Sequence, residues 1–273
     1  MKKHLALRIA QNALAWLLSL FFFVPLLLVL INSFKDRLGA ASMSMALPTK
    51  LEWSNYAVVI EQGRLVQSFF NSLLYATAST ALGIALAALA AYVFARNGSK
   101  LNRFLYFFVI LGIAMPVNFV TLTKVMQWTQ LINTQIGIVV LLAVMSIPFS
   151  VFLMYGFVGS VPRELDEAGV VDGCSPIRLF VSIVFPLLLP VLVTVGILNF
   201  MGAWNDFILP LYYLNDSSKW PMTLAVYNFF GQFQVNWNLV SADIVMTTLP
   251  VIVIYLLGQR YIIAGMTSGS VKG

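Results

Sequence analysis

Long apolar stretches without charge alternate along this chain with short polar ones, and the spacing of the charges sets the pattern. Charge-free intervals wide enough for a spanning helix lie between Arg8 and Lys35, Arg64 and Arg96, Arg103 and Lys124, Lys124 and Arg163, and Arg178 and Asp206, with a shorter sixth between Asp243 and Arg260. A helix needs about 20 apolar residues to cross about 30 Å of hydrocarbon. The pattern therefore predicts helices over about 11–33, 66–95, 103–123, 136–158, 179–203 and 241–260. The fold class expected is an all-α polytopic membrane protein with six transmembrane helices, forming a single domain over 1–273 with no linker or repeat. The first apolar run, "ALAWLLSLFFFVPLLLVLI", exceeds the roughly 7–15 residues of a secretory signal core and is not directly followed by a small-residue cleavage site, so it is read as a retained anchor.

Composition agrees: 60% of the 273 residues are hydrophobic and 10% charged, against about 25% charged in soluble domains. One cysteine, Cys174, excludes an internal disulfide, and with a single histidine, His4, it leaves no set of ligands for zinc or haem, so neither a metal nor a bound cofactor is expected. The net charge of +6 is read as orientation in the bilayer and not as a nucleic-acid surface, because the basic residues fall between the apolar runs. With the N-terminus inside, ten Lys/Arg lie on the inner side (Lys2, Lys3, Arg8, Arg96, Lys100, Arg103, Arg163, Arg178, Arg260, Lys272) and six outside (Lys35, Arg37, Lys50, Arg64, Lys124, Lys219). The bias predicts N-in, C-in. Residues of about 34–65 and 204–240 then form outer loops, about 159–178 an inner loop, and about 261–273 an inner tail.

The inner loop concentrates acid: Glu164, Asp166, Glu167 and Asp172 are four of only ten acidic residues. Locally it reads as two short helices. Pro162 suits a first turn, the three carboxylates near it complement the helix dipole, and Gly173 is a stop signal. Ser175 then caps a second helix with Pro176 at its first position. Leu165, Ala168, Gly169 and Asp172 share one narrow face at helical spacing. A helix this short is marginal alone. Its small face predicts close approach by another surface, while the charges by themselves are equally compatible with a solvated connector.

Residues 167–186 read Glu-Ala-Gly, three residues, Gly173, nine residues, Ile183, one residue, Phe185-Pro186. This resembles the loop of permease subunits in ATP-binding-cassette importers, patterned E-A-A, three residues, G, nine residues, I, one residue, L-P. Gly169 and Phe185 depart from it. Further similarity lies in "FNSL" at 70–73, "LAAYVFAR" at 89–96, "GAWNDFILPL" at 202–211 and the ending "AGMTSGSVKG". Together these resemble the maltose-type carbohydrate permeases, and specifically the smaller of their two permease subunits.

The resemblance implies a MetI-like permease fold in a bacterial inner (plasma) membrane, where Glu164, Leu165, Glu167, Ala168, Gly169, Asp172, Gly173, Ser175 and Pro176 dock into a cleft of a cytoplasmic ATPase. It implies a tail, Ser268, Gly269, Ser270, Val271, Lys272 and Gly273, lying along the ATPase pair, and an outer loop with Gly231, Gln232, Phe233, Gln234, Asn236 and Trp237 reaching an extracytoplasmic solute-binding protein. The partners implied are a second, homologous permease subunit, two ATPase subunits carrying ATP and Mg, the binding protein, and a carbohydrate.

No phosphate-binding G-x-x-x-x-G-K-[ST] loop occurs; "NGSK" at 97–100 lacks the frame. Hydrolysis must come from another chain. An ion-coupled secondary transporter is the competing class, but it would place charge within the spans, and Asp206 and Asp243 fall at predicted span ends. Neutral polar groups do lie within: Asn71, Ser72, Thr77, Ser79, Thr80, Asn118, Thr121, Ser146, Ser150 and Asn199. Such groups commonly join membrane helices to one another. Asn71, Asn118, Asn199, Trp204 and Asn205 are the candidates for a solute pathway, Asn199 foremost.

Overall fold

The structure is a computed structural model and describes residues 2–231 and 235–268. In chain order its helices are α1 (Lys2–Ser33), α2 (Arg37–Ala40), α3 (Ser54–Gln62), α4 (Leu65–Arg96), α5 (Lys100–Ala114), α6 (Phe119–Trp128), α7 (Gln135–Ser160), α8 (Glu164–Val171), α9 (Pro176–Leu179), α10 (Phe185–Leu187), α11 (Leu189–Asn205), α12 (Ile208–Tyr213), α13 (Met222–Ala225) and α14 (Trp237–Ser268). A π-helical turn, Phe180–Val184, joins α9 to α10.

Among the described residues four helices are long and apolar enough to cross a membrane by themselves: Gln11–Ser33, Leu65–Arg96, Gln135–Ser160 and Trp237–Tyr261. Two bent pairs raise the number to six if each is one span. The expectation of one straight helix over 103–123 is corrected: α5 and α6 meet at 116°, broken at Met115–Asn118. Pro116 forces the residue before it out of helical geometry, and Met115 is extended, with φ −79° and ψ 124°. Asn118 then starts α6 by accepting the Thr121 amide at 3.1 Å. The expected helix 179–203 is likewise bent, by 78° at Leu188, between Pro186 and Pro190. The sixth helix begins at Trp237, so Asp243 stands inside it, 1% exposed, and not at its end.

The chain divides into two compact units. The first, 1–66 with 225–250, is tied by buried amides. Asn55 donates to the backbone carbonyls of Ser33 and Lys35, both at 2.8 Å, and accepts from Asn238 at 2.8 Å. The buried Lys35 ammonium is satisfied by Asn32 Oδ1 at 3.0 Å and the Ser44 carbonyl at 2.7 Å. In the second unit, 67–224 with 251–273, Ala87, Ala88 and Ala91 of α4 meet Val151, Met154 and Val158 of α7 and Val184, Leu188, Val191 and Val195 beyond the inner loop. Small residues let helices approach closely where lipid supplies no hydrophobic drive.

Candidate functional site

The inner loop has the two helices expected of it, with a later start. α8 opens at Glu164, and Arg163, not Pro162, stands at its N-cap without a side-chain hydrogen bond. Glu164, Asp166 and Glu167 fill the first turn and supply the negative charge that an uncapped N-terminus favours. Gly173 ends the helix at φ +77°, a left-handed conformation that costs other residues. Ser175 Oγ accepts the Arg178 amide at 3.4 Å and Pro176 occupies the first position of α9.

The small face is not open at Gly169. That residue is buried, and a Cβ there would lie 2.5 Å from Leu179 Cδ1 and 3.0 Å from Ile183 Cδ1. Gly169 thus lets α8 fold down on the chain's own next helical segment. Facing away are apolar side chains that the sequence pattern had not singled out: Val170 is 65% exposed, Val171 86% and Ile177 78%. Glu164, Glu167, Ala168, Asp172, Ser175 and Pro176 are exposed with them. A cleft of about 530 Å³ opens beside this surface, lined by residues that include Tyr92, Glu167, Val170, Val171 and Cys174.

Asp166, read from sequence only as a dipole complement, is held by two side chains, Tyr92 and Arg96, to which the sequence reading assigned no role at α8. Arg96 Nε lies 2.7 Å from Asp166 Oδ2, Arg96 Nη2 donates to the Val161 carbonyl at 3.1 Å, and Tyr92 Oη donates to Asp166 Oδ1 at 2.9 Å. "LAAYVFAR" signalled family likeness, yet only the fold shows that its tyrosine and arginine meet a carboxylate about seventy residues on.

The solute candidates do not converge. Asn199 donates to Ser150 Oγ at 2.9 Å and lines a cavity of about 270 Å³ with Ser79, Thr80, Ser146 and Asp206 among its walls. Asn71 holds the Ser218 and Trp220 carbonyls at 2.9 and 3.1 Å, Asn118 caps α6, and Asn205 donates to the Met201 carbonyl at 2.9 Å. Trp204 is 1% exposed and packs between Phe69 and Phe200. Burial pushes the Asp206 carboxyl up, opposed by the Leu209 amide that it accepts at 2.9 Å. In the outer segment Gly231 is exposed, and Asn236 and Trp237 lead into α14. Gln232, Phe233 and Gln234, and Gly269, Ser270, Val271, Lys272 and Gly273, lie outside the described residues.

The candidate spans, single and bent, make this a polytopic membrane protein, with the short helix α8 on the loop between two of them. Residues 83–268 match the binding-protein-dependent transport system inner membrane component family, and the chain belongs to it. It is a multi-pass permease subunit of an ATP-binding-cassette importer. It is 33% identical to a melibiose/raffinose/stachyose import permease of Bacillus subtilis, over 95% of both chains. It is 34% identical to the permease of a multiple sugar-binding transport system of Streptococcus mutans, over 91% of both, and 31% identical to a diacetylchitobiose uptake permease of Streptomyces coelicolor, over 96% of this chain and 88% of that one. Among solved structures, a chain of a bacterial ABC transporter involved in import of the acidic polysaccharide alginate shares the fold, with TM-score 0.83, 20% identity and coverage of 96% and 98%.

Proposed function

We propose that this chain is the smaller permease subunit of a maltose-type importer for a disaccharide or oligosaccharide. An extracytoplasmic binding protein delivers the solute, a second homologous permease subunit completes the pore, and two ATPase subunits dock on the inner loop. One observation carries the docking reading: a loop with the importer spacing presents Val170, Val171 and Ile177 to its surroundings beside a cleft of about 530 Å³. Val170 and Val171 lie outside every candidate span, and apolar side chains so exposed there are what a protein partner covers. Affinity purification of the chain from membranes should bring a P-loop ATPase with it, and Glu167→Lys, which reverses an exposed charge, should cut that yield about tenfold or more. An equal yield from both removes the docking reading.

Three sugar-permease relatives support the carbohydrate assignment, as does the chemistry of the Asn199 cavity. Ser79 and Ser146 each give their hydroxyl hydrogen to a backbone carbonyl of their own helix, which leaves acceptors toward the cavity. Its walls hold Asp206 and no Lys or Arg. Such walls suit a solute rich in hydroxyl donors. Asn199 is the residue proposed to meet it; Asn71, Asn118, Trp204 and Asn205 are proposed to line or frame the route. The 231–237 segment is proposed to meet the binding protein, and residues 268–273 the ATPase pair.

The same reading sets orientation, with both ends and the 159–178 loop in the cytoplasm. Cys174 is the only thiol in the sequence and is partly exposed. A membrane-impermeant maleimide should leave it unmodified in intact cells and modify it in inverted vesicles stripped of peripheral proteins. Modification from outside reverses the orientation.

A further inference from the structure

We infer that Arg96, Asp166 and Tyr92 are positioning residues that lock α8 to the last turn of α4, so that any displacement of α8 is carried directly into that membrane helix. The inference rests on the docking reading of the inner loop and adds the route by which movement there enters the membrane.

α8 has few means of transmitting force. It has 8 residues, too few to be stable alone, and it is tied to the chain at two places. One is the Gly169 seat on Leu179 and Ile183, which leads along the chain into α10 and α11. The other is the Asp166 carboxylate, whose two oxygens are both engaged from α4: Oδ2 by Arg96 at 2.7 Å and Oδ1 by Tyr92 at 2.9 Å. The ion pair is well shielded, with the Arg96 and Asp166 side chains 14% and 16% exposed. A shielded pair that loses one partner leaves a poorly solvated charge, so it resists opening far more than an exposed pair does. Arg96 also holds the Val161 carbonyl at 3.1 Å, and Arg163 reaches back to the Ala95 carbonyl at 3.4 Å. The last turn of α4 is therefore bonded to the loop before α8 and to α8 itself. Tyr92 lies against Phe180 at 5.3 Å between ring centroids, so the same turn also touches the π-helical segment that follows the loop. Separating α8 from α4 would break the ion pair and the tyrosine bond; moving both together breaks neither.

The test uses the assembled importer purified with its ATPase, and amide hydrogen exchange with and without ATP and vanadate, which needs no knowledge of the solute. In the parent, nucleotide trapping should change exchange both in α8 and in residues 93–97. Asp166→Asn and Tyr92→Phe remove one group each with little change of volume, and Arg96→Gln removes the guanidinium with a shorter side chain in its place. The two charge variants should raise exchange in α8 about tenfold without nucleotide, as expected when a shielded ion pair loses one partner, and Tyr92→Phe less. In both charge variants the nucleotide response of α8 should persist while that of residues 93–97 is lost. The Arg96→Gln, Asp166→Asn double variant should be no worse than Arg96→Gln alone, because the ion pair is already lost in that single variant. A parent whose α8 ignores nucleotide sinks the docking reading and this inference with it. A parent whose α8 responds, with variants whose residues 93–97 respond as strongly as the parent's, overturns the lock alone.

Discussion

Gly169→Leu should abolish retention of the ATPase although it changes no side chain on the exposed face of α8. The new side chain would start from a Cβ 2.5 Å from Leu179 Cδ1 and 3.0 Å from Ile183 Cδ1, under a helix only 8 residues long. Overpacking of a fitted contact costs about 1–3 kcal/mol, and a helix this short has little stability of its own to absorb it. α8 should therefore lift from its seat and carry its exposed face out of register. Gly169→Ala is the informative companion. The obstructing atoms are the ends of flexible side chains that can yield, and alanine returns up to about 1 kcal/mol of helix propensity, so retention should stay near the parental level. Gly169→Leu combined with Leu179→Ala opens space and should recover part of the loss. If Gly169 met the ATPase instead, that second change would recover nothing. The measurement is ATPase yield after purification from membranes that contain equal amounts of each variant.

Val171→Lys, alone or with Val170→Lys, should give a similar loss by a different route. Both side chains are already exposed, so the loop should keep its shape to within about 0.5 kcal/mol. A charge at the centre of an apolar docking surface is another matter: residues that anchor an interface commonly cost 2 kcal/mol or more when changed, about thirtyfold in affinity. Amide exchange in α8 should match the parent while the ATPase is lost. That separates this variant from Gly169→Leu, where both change. Parental retention with both lysines in place would mean that the Val170–Val171 surface faces no partner.

How much of this was legible beforehand follows from what each feature depends on. α4 and α7 begin and end within a few residues of their expected places because charge limits them, and charge is read directly from sequence; α1 ends where expected but starts at Lys2, nine residues before the expected 11, because helical geometry continues through Arg8. The break in the third span was also within reach: Pro116 with Asn118 two residues on is a stop and a start, but an unbroken apolar run took precedence over them. α14 starts at Trp237, four residues before the expected 241, and holds Asp243 in its interior; a carboxylate 1% exposed within a helix is decided by the tertiary surroundings. The inner loop divides in the same way. Its caps and its stop at Gly173 are local and were foreseen, apart from the shift from Pro162 to Arg163 at the start of α8. The Arg96–Asp166 pair and the seat under Gly169 depend on which segments meet, and spacing within one segment holds no record of that.

The first helix stands apart. The Gln11–Ser33 stretch has the highest mean hydropathy of the four unbroken candidate spans, 2.8, and none of its most apolar window is buried by the rest of the chain. A helix satisfies its own backbone hydrogen bonds in lipid. During synthesis this segment leaves the ribosome before the other helices, and it can enter the bilayer and stay there with no later segment to lean on. The alanine face of α4 has to wait for α7 and α11 before it has anything to pack against. Membrane insertion of this protein and folding of its core are therefore separable in time. A defect in the core should leave a chain that is tethered to the membrane and unfolded, open to proteolysis at the bilayer and not lost to the cytosol.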